Sequence, residues 1–367
     1  MRKRIRPGRG TLAPVEAKCQ PGGATRGSLC YATPAGRDRP LTTMKNPFTA
    51  TLQGLREMHD PAGAARPLGE DERLDDRVAL VTGANRGLGL AVAADLAGRG
   101  ARVIMACRSG LPDAVDAVRR RSGSTLVETR PVDLADLGSV AGLCAELARN
   151  GVKIDVLVLN AGVVPRESRR TAQGLELMFG VNYLANVALV EGLLDAGVLV
   201  PGNVSKPRIV FVSSESHRGA GPVDLDSLGR FQTYGAMAGI KVYGYSKLLL
   251  TVYAFGLARR LAGTASVHAC CPGPINSDIA REAPGWMKPL LRVVMARFFR
   301  SPEDAAAPVV LLAGARSLDD RTGTYMHFMT EKAPDPQCLD AALGERLEVA
   351  SRRILAGLLR NPHRGEP

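Results

Sequence analysis

Tyr243 and Lys247 stand four residues apart, so on a helix they share one face. None of the other six tyrosines has a lysine at that spacing. A phenol of pKa ~10 is a poor proton shuttle near neutrality, and an adjacent ammonium favours the phenolate; each tenfold gain in its ionisation is worth ~1.4 kcal/mol. Ser214 closes the apolar run Ile209-Val-Phe-Val-Ser-Ser214 and offers a hydroxyl that could orient a carbonyl or alkoxide oxygen; Ser213 is the competing choice. Phenol, ammonium and hydroxyl together suit proton transfer to or from an oxygen on carbon.

A second group suits a phosphate-bearing ligand. Thr82-Gly83-Ala84-Asn85-Arg86-Gly87-Leu88-Gly89 follows the apolar run Val78–Val81 and opens the helical stretch Leu90–Ala97. Glycines there allow a tight turn and let a pyrophosphate approach amides at a helix N-terminus. A glycine trio is weak evidence in a chain with 40 glycines, but this one lies between a buried strand and a helix. The second strand ends Met105-Ala106-Cys107-Arg108-Ser109, without the carboxylate that would accept bonds from the ribose of NAD. Arg108, with Arg86 from the glycine turn, suits a 2′-phosphate, so NADP is expected over NAD. Asp133-Leu134 and Asn160-Ala161-Gly162 follow the third and fourth strands, at the carboxyl ends where open α/β sheets bind ligands.

The elements that must position these groups alternate. Strands are expected at 78–81, 102–106, 125–131, 154–159, 208–212, 266–270 and 323–328, with helices at 90–97, 114–121, 137–149, 175–194, 244–261 and 302–313. Strands alternating with helices, the first of them the continuous apolar run Val78–Val81, imply an α/β fold: a Rossmann-like, doubly wound parallel sheet of about seven strands with helices on both faces. A single domain is expected over 71–335, followed by a helical tail over 336–367 containing the segment 339–359. Residues 1–70 show neither strand nor helix periodicity, so they are expected to be a disordered extension, or one preceding a true start at Met44.

The spacing G-x-x-x-G-x-G after a Thr, with Tyr243-x-x-x-Lys247 and the strand-end groups in family order, resembles the short-chain dehydrogenase/reductase family. That resemblance implies an adenine contact for Asp133 and a cofactor-facing turn for Asn160-Ala161-Gly162. It places the catalytic serine second in its pair, at Ser214. It matches Asn182, in Gly180-Val-Asn182-Tyr183, to the asparagine that holds a relay water, and gives Lys247 a bond to the nicotinamide ribose. It also likens Cys271-Pro272-Gly273-Pro274-Ile275-Asn276-Ser277 to the segment over the nicotinamide amide, making Pro272, Gly273, Ile275 and Ser277 candidate cofactor contacts, with Ser in place of the usual Thr. Ala106-Cys-Arg108, Ser213-Ser-x-Ser-His217, Tyr243-x-x-Ser-Lys-Leu248 and Gly323-x-Tyr325 resemble the retinol dehydrogenase-like and light-dependent protochlorophyllide reductase-like branches, which handle bulky apolar substrates. His217 reads as a loop residue and not a catalytic one.

Composition excludes other classes. At 45% hydrophobic and 23% charged the chain is globular. No stretch approaches the ~18 apolar residues of a spanning helix; the best, 186–200, carries Glu191 and Asp195. Of the net charge of +12, residues 1–43 carry +7, so the domain's excess is weak and gives no reason to expect nucleic acid as a partner. Seven cysteines without metal spacing suggest reduced apolar fillers, no metal and a cytoplasmic setting. The apolar and basic stretch 279–300 could roof a hydrophobic pocket, touch a membrane surface peripherally, or pack as an ordinary helix. The expected function is NADP-dependent hydride transfer on a lipophilic carbonyl or alcohol, with Tyr243 as acid/base. A cofactor-binding regulatory protein with little turnover is the alternative, and homo-oligomerisation is left open.

Overall fold

In β1 (Val78–Thr82) the side chains alternate between two cores: Leu80 packs into one, Ala79 and Val81 into the other, and all three are fully buried. A strand covered on both faces needs no polar alternation, which is why it reads as one apolar run. The structure, a computed structural model, describes residues 64–200, 206–274 and 300–360. The expectations for residues 1–63, for Ile275 and Ser277, and for nearly all of the 279–300 stretch lie outside the described residues.

After β1 come α1 (Gly87–Gly98), β2 (Arg102–Cys107), α2 (Leu111–Ser122), β3 (Val127–Pro131), α3 (Leu137–Arg149) and β4 (Val156–Leu159). A π-helical turn, Phe179–Leu184, leads into α4 (Ala185–Asp195) and β5 (Arg208–Val212). The rest is α5 (Ala236–Arg260), β6 (Ser266–Cys271), α6 (Pro302–Gly314), β7 (Thr324–His327), β8 (Thr330–Glu331) and, after a turn of helix at Pro336–Leu339, α7 (Ala341–Arg360). The strand order is β3-β2-β1-β4-β5-β6-β7-β8. All neighbours are parallel except β7 and β8. One face of the sheet packs against α1, α2 and α6, the other against α3, α4 and α5. The order reverses between β1 and β4, opening a crevice beyond their carboxyl ends.

Among the described residues the sheet thus has eight strands where about seven were expected. The eighth has two residues, reached through Phe328 at φ +53°, and is too short to carry a periodic pattern. Helix α5 starts eight residues before the expected Gly244, because Gly239 and Gly244 interrupt its pattern. Both are packing glycines: a Cβ at Gly239 would lie 3.4 Å from the Tyr234 ring, and one at Gly244 only 2.6 Å from the Ser216 carbonyl oxygen. The expected single helix at 175–194 is instead a π turn followed by α4.

Helix α7 lies on α5, where Gly344 meets Gly256 backbone to backbone. Two buried polar contacts fix it: Tyr183 shares a 2.6 Å hydrogen bond with Ser351, and Glu191 gathers Tyr253, Arg260 and Arg352. On the opposite face, the buried Arg208 donates to the carbonyls of Leu312 (2.9 Å) and Ala315 (2.6 Å) and to Asp319 (2.6 Å), so a cation closes the C-terminal end of α6. Arg208→Met should remove the Leu312 carbonyl's side-chain partner, one of two donors to Ala315 and the cation facing Asp319, and destabilise the domain by about 3 kcal/mol, read as a lower urea midpoint at unchanged slope. An unchanged midpoint would show that the guanidinium is dispensable.

Candidate active site

Thr82 ends β1 and Asn160 follows β4, so the crevice opens between them. Thr82 Oγ1 accepts from the backbone N–H of Asn160 (3.0 Å) and of Ala161 (3.1 Å). Asn160 Nδ2 returns a 2.8 Å bond to the Thr82 carbonyl. Asn85 Nδ2 donates to the Ser109 carbonyl at 3.0 Å, tying the glycine turn to the end of β2 as well. Gly89 has to be glycine, since a Cβ would stand 2.4 Å from the Gly83 oxygen and 2.5 Å from Asn160 Nδ2. Leu88 is buried and anchors α1, while Gly83 and Gly87 have φ of +64° and +52°. Nothing lies within 4 Å of where a Gly87 Cβ would be, and no side chain caps the first turn of α1. Amides at an uncapped helix start, beside open space and positive-φ glycines, fit the diphosphate of a dinucleotide.

Arg86 is exposed at the start of α1. The Arg108 side chain, 72% exposed, lies 3.9 Å from the Asp133 carboxylate, which accepts from the Ala135 amide at 2.9 Å. Arg108 and Asp133, 25 positions apart in sequence, therefore share one rim of the crevice. Leu134 is buried in the core below that rim. Gly162 brings its turn against the reaction centre: a Cβ there would be 3.4 Å from Asn182 Oδ1 and 3.5 Å from Lys247 Nζ. Beyond β6, Pro272 leads into Gly273 at φ +87°, whose Cα faces the Phe328 ring so closely that a Cβ would overlap it at 2.0 Å.

Tyr243 and Lys247 project from the middle of α5. Ser214 is close enough to the Tyr243 phenol for its hydroxyl to pull that pKa down, and Lys247 Nζ lies 5.8 Å from the centre of the Tyr243 ring. Lys247 is buried and donates to the Val212 carbonyl at 2.8 Å. Burial pulls its pKa down to about 8, against a smaller upward pull from Cys271 and Cys270. Burial, helped by Cys271, pushes the Tyr243 phenol up to about 12, and the Ser214 hydroxyl only partly opposes this. The expectation of a phenol lowered by its ammonium is not met here, because desolvation is the largest influence on it.

The competing hydroxyls are engaged elsewhere. Ser213 shares a buried 2.7 Å bond with Thr251; Tyr234 donates to Glu176 at 2.7 Å; and Tyr245 exchanges bonds with the Asp224 backbone. Asn182 sits in the π turn, where its Oδ1 accepts from the Val163 amide (2.8 Å) and its Nδ2 donates to the Val163 carbonyl (3.0 Å) and to Ser246 (3.1 Å). Both amide hydrogens are used on protein, so this side chain clamps the loop after Gly162.

Behind Ser214 lies a cluster that sequence reasoning misses. Glu215 accepts from Tyr325 (2.8 Å), Arg218 (3.0 Å) and Lys332 (3.1 Å). Burial would raise this carboxyl, but Arg218, His327, Lys332 and His217 together hold it at about 2. His217 is buried, so it is not a plain loop residue: Nδ1 bonds the Ser214 carbonyl (2.7 Å) and Nε2 accepts from the Asp335 amide (3.0 Å). Burial, chiefly, lowers its pKa to about 4, which keeps the ring neutral and both bonds intact. The one sequence signal is an acid directly after the strand-end serines; two of its partners lie over 100 residues away.

The profile described as short chain dehydrogenase matches residues 77–224. Human retinol dehydrogenase 14 is 33% identical over 310 residues, which cover 80% of this chain and 90% of that protein. The chain belongs to the short-chain dehydrogenase/reductase family. Human retinol dehydrogenase 13 is similar at 34% identity over 76% of the chain and 84% of that protein. Among solved structures, a Beutenbergia cavernae protein assigned as an NAD(P)-dependent gluconate 5-dehydrogenase, with NADP bound at low occupancy, has a TM-score of 0.54 and 27% identity, covering 70% of this chain and 96% of its own. Membership makes the chain an NAD(P)-dependent oxidoreductase of the retinol dehydrogenase-like kind. Among the described residues, no helix is long and apolar enough to cross a membrane.

Gly89→Val should weaken dinucleotide binding by about tenfold or more, because the new side chain must displace the glycine turn or Asn160. Gly142→Ala, at an open position on α3, serves as the matched control. Isothermal titration with NADPH and NADH would read both; equal affinity in the two variants would detach the glycine turn from cofactor binding.

Proposed function

We propose that the protein reduces carbonyl groups of lipophilic small molecules with NADPH, and oxidises the corresponding alcohols in reverse, with Tyr243 as the proton donor or acceptor. The observation that carries this reading is the set brought together by α5 and the end of β5: a Tyr243 phenol under the influence of Ser214, one helical turn from a buried Lys247 ammonium. When bound, the nicotinamide supplies or takes up the hydride at the substrate carbon. Tyr243 gives its hydroxyl proton to the substrate oxygen as the carbonyl becomes an alcohol, and takes it back in the reverse direction. Ser214 donates a hydrogen bond to the same oxygen while negative charge builds on it. Lys247 holds positive charge beside the phenol and offers N–H donors to the cofactor ribose, and Asn182 keeps the loop after Gly162 in place for both. A phenol raised to about 12 rests protonated, the form from which it gives its proton during reduction.

Three observations support the choice of ligands. The exposed Arg108 on the cofactor rim, with Arg86 on the glycine turn and no acid closing β2, favours a 2′-phosphate, and a related structure carries NADP. Asp133, Asn160, Ala161, Gly162, Pro272 and Gly273 complete the described cofactor surface in this reading, with Leu134 buried beneath it. Lipophilic substrates fit the retinol dehydrogenase relatives and two exposed apolar side chains on segments that lead to the site: Val164, just past Gly162, and Ile240, one turn ahead of Tyr243.

A panel of aldehydes and ketones, including nonanal and all-trans-retinal, tests the proposal through NADPH consumption. Tyr243→Phe should bind NADPH normally yet lose most turnover; near-parental rates would remove Tyr243 from the chemistry. In the parent, kcat/KM for reduction should be high at neutral pH and fall as pH rises through about 8, because Lys247 loses its proton there while Tyr243 keeps its own. That basic limb should vanish in Lys247→Ala. For the cofactor, Arg108→Asp should weaken NADPH at least about tenfold more than NADH, measured by titration. Tighter NADH than NADPH binding in the parent would overturn the NADP assignment.

A further inference from the structure

We infer that Ser216 is a positioning residue that fixes the direction of the Ser214 hydroxyl hydrogen, an inference that rests on the proton-transfer reading above. Ser216 Oγ donates to Ser214 Oγ at 2.9 Å, and the Ser216 backbone N–H donates to the same oxygen at 3.3 Å. A serine hydroxyl has two acceptor lone pairs and one hydrogen. With both lone pairs engaged by Ser216, the remaining hydrogen is left for a group other than Ser216: Tyr243, whose phenol Ser214 influences, or an incoming substrate oxygen. An otherwise free rotor becomes a donor of fixed direction, and the incoming bonds polarise it further.

The surroundings hold Ser216 to this task. Its carbonyl oxygen presses on Gly244, the residue next to Tyr243, where a Cβ would come within 2.6 Å. On one side Glu215 is held by Tyr325, Arg218 and Lys332; on the other His217 is held by the Ser214 carbonyl and the Asp335 amide. Ser216 therefore sits between two anchored neighbours and against the helix that carries the phenol. It acts on the reaction only through Ser214.

A double-mutant cycle on the full chain tests this, using whichever carbonyl of the panel the parent reduces fastest. Ser216→Ala should lower kcat about tenfold while moving KM less than about twofold, and Ser216→Thr, which keeps a hydroxyl, should recover most of the loss. In a Ser214→Ala background the same Ser216→Ala change should cost nothing further, since the oxygen it orients is gone. Parental kcat in Ser216→Ala would overturn the inference. So would an equal loss in the Ser214→Ala background, which would mark a structural effect that bypasses Ser214. Parental kcat in Ser214→Ala alone would instead overturn the underlying reading, so the two failures are distinguishable.

Discussion

An ammonium buried in a protein interior is costly, and much of this site is arranged around one. Lys247 leaves water at the centre of a helix and finds the carbonyl that ends β5. Its position requires β5 to stop at Val212, so that this carbonyl faces a side chain instead of continuing the ladder. It requires a residue without a side chain at 162, and an asparagine at 182 to hold the loop around that glycine. The same desolvation that lowers the lysine raises the neighbouring phenol. Burial thereby sets the resting protonation of both groups.

The architecture is legible in the sequence because its physics is local. Val78–Thr82 and Arg208–Val212 are buried on both faces, and their apolar cores, Val78–Val81 and Ile209–Val212, read as short continuous runs. The glycine turn is legible for a related reason: steric demand at Gly83, Gly87 and Gly89 leaves few residues able to stand there. The Tyr243 and Lys247 pair needs only the helical repeat.

What stays hidden depends on distant partners or on solvent exclusion. Nothing near Phe179 announces that the helix begins with a π turn, although that turn delivers Asn182 to the loop it clamps. Gly239 and Gly244 look like interruptions in sequence; in the fold they are where Tyr234 and Ser216 press on α5. The Tyr243 phenol moves opposite to expectation because spacing reveals a neighbouring charge but not the loss of water around it. His217 reads as an ordinary polar loop residue until the backbone at Asp335 supplies its second bond.

That last dependence bears on how the protein matures. The glycine turn and its supports at Thr82, Asn85 and Asn160 all lie within or just after the first four strands, so a growing chain can complete this half early. The turn that carries Ser214 is different: Glu215 waits 110 residues for Tyr325 and 117 for Lys332, and His217 waits 118 for Asp335. Since domains fold from contacts that must already exist, the reactive half can become rigid only when nearly all of the described chain has been made. A chain stopped before Tyr325 would contain every residue that hydrogen-bonds within the cradle yet lack Tyr325, Lys332 and Asp335, so the turn that carries the serine is the last part of the site to be fixed.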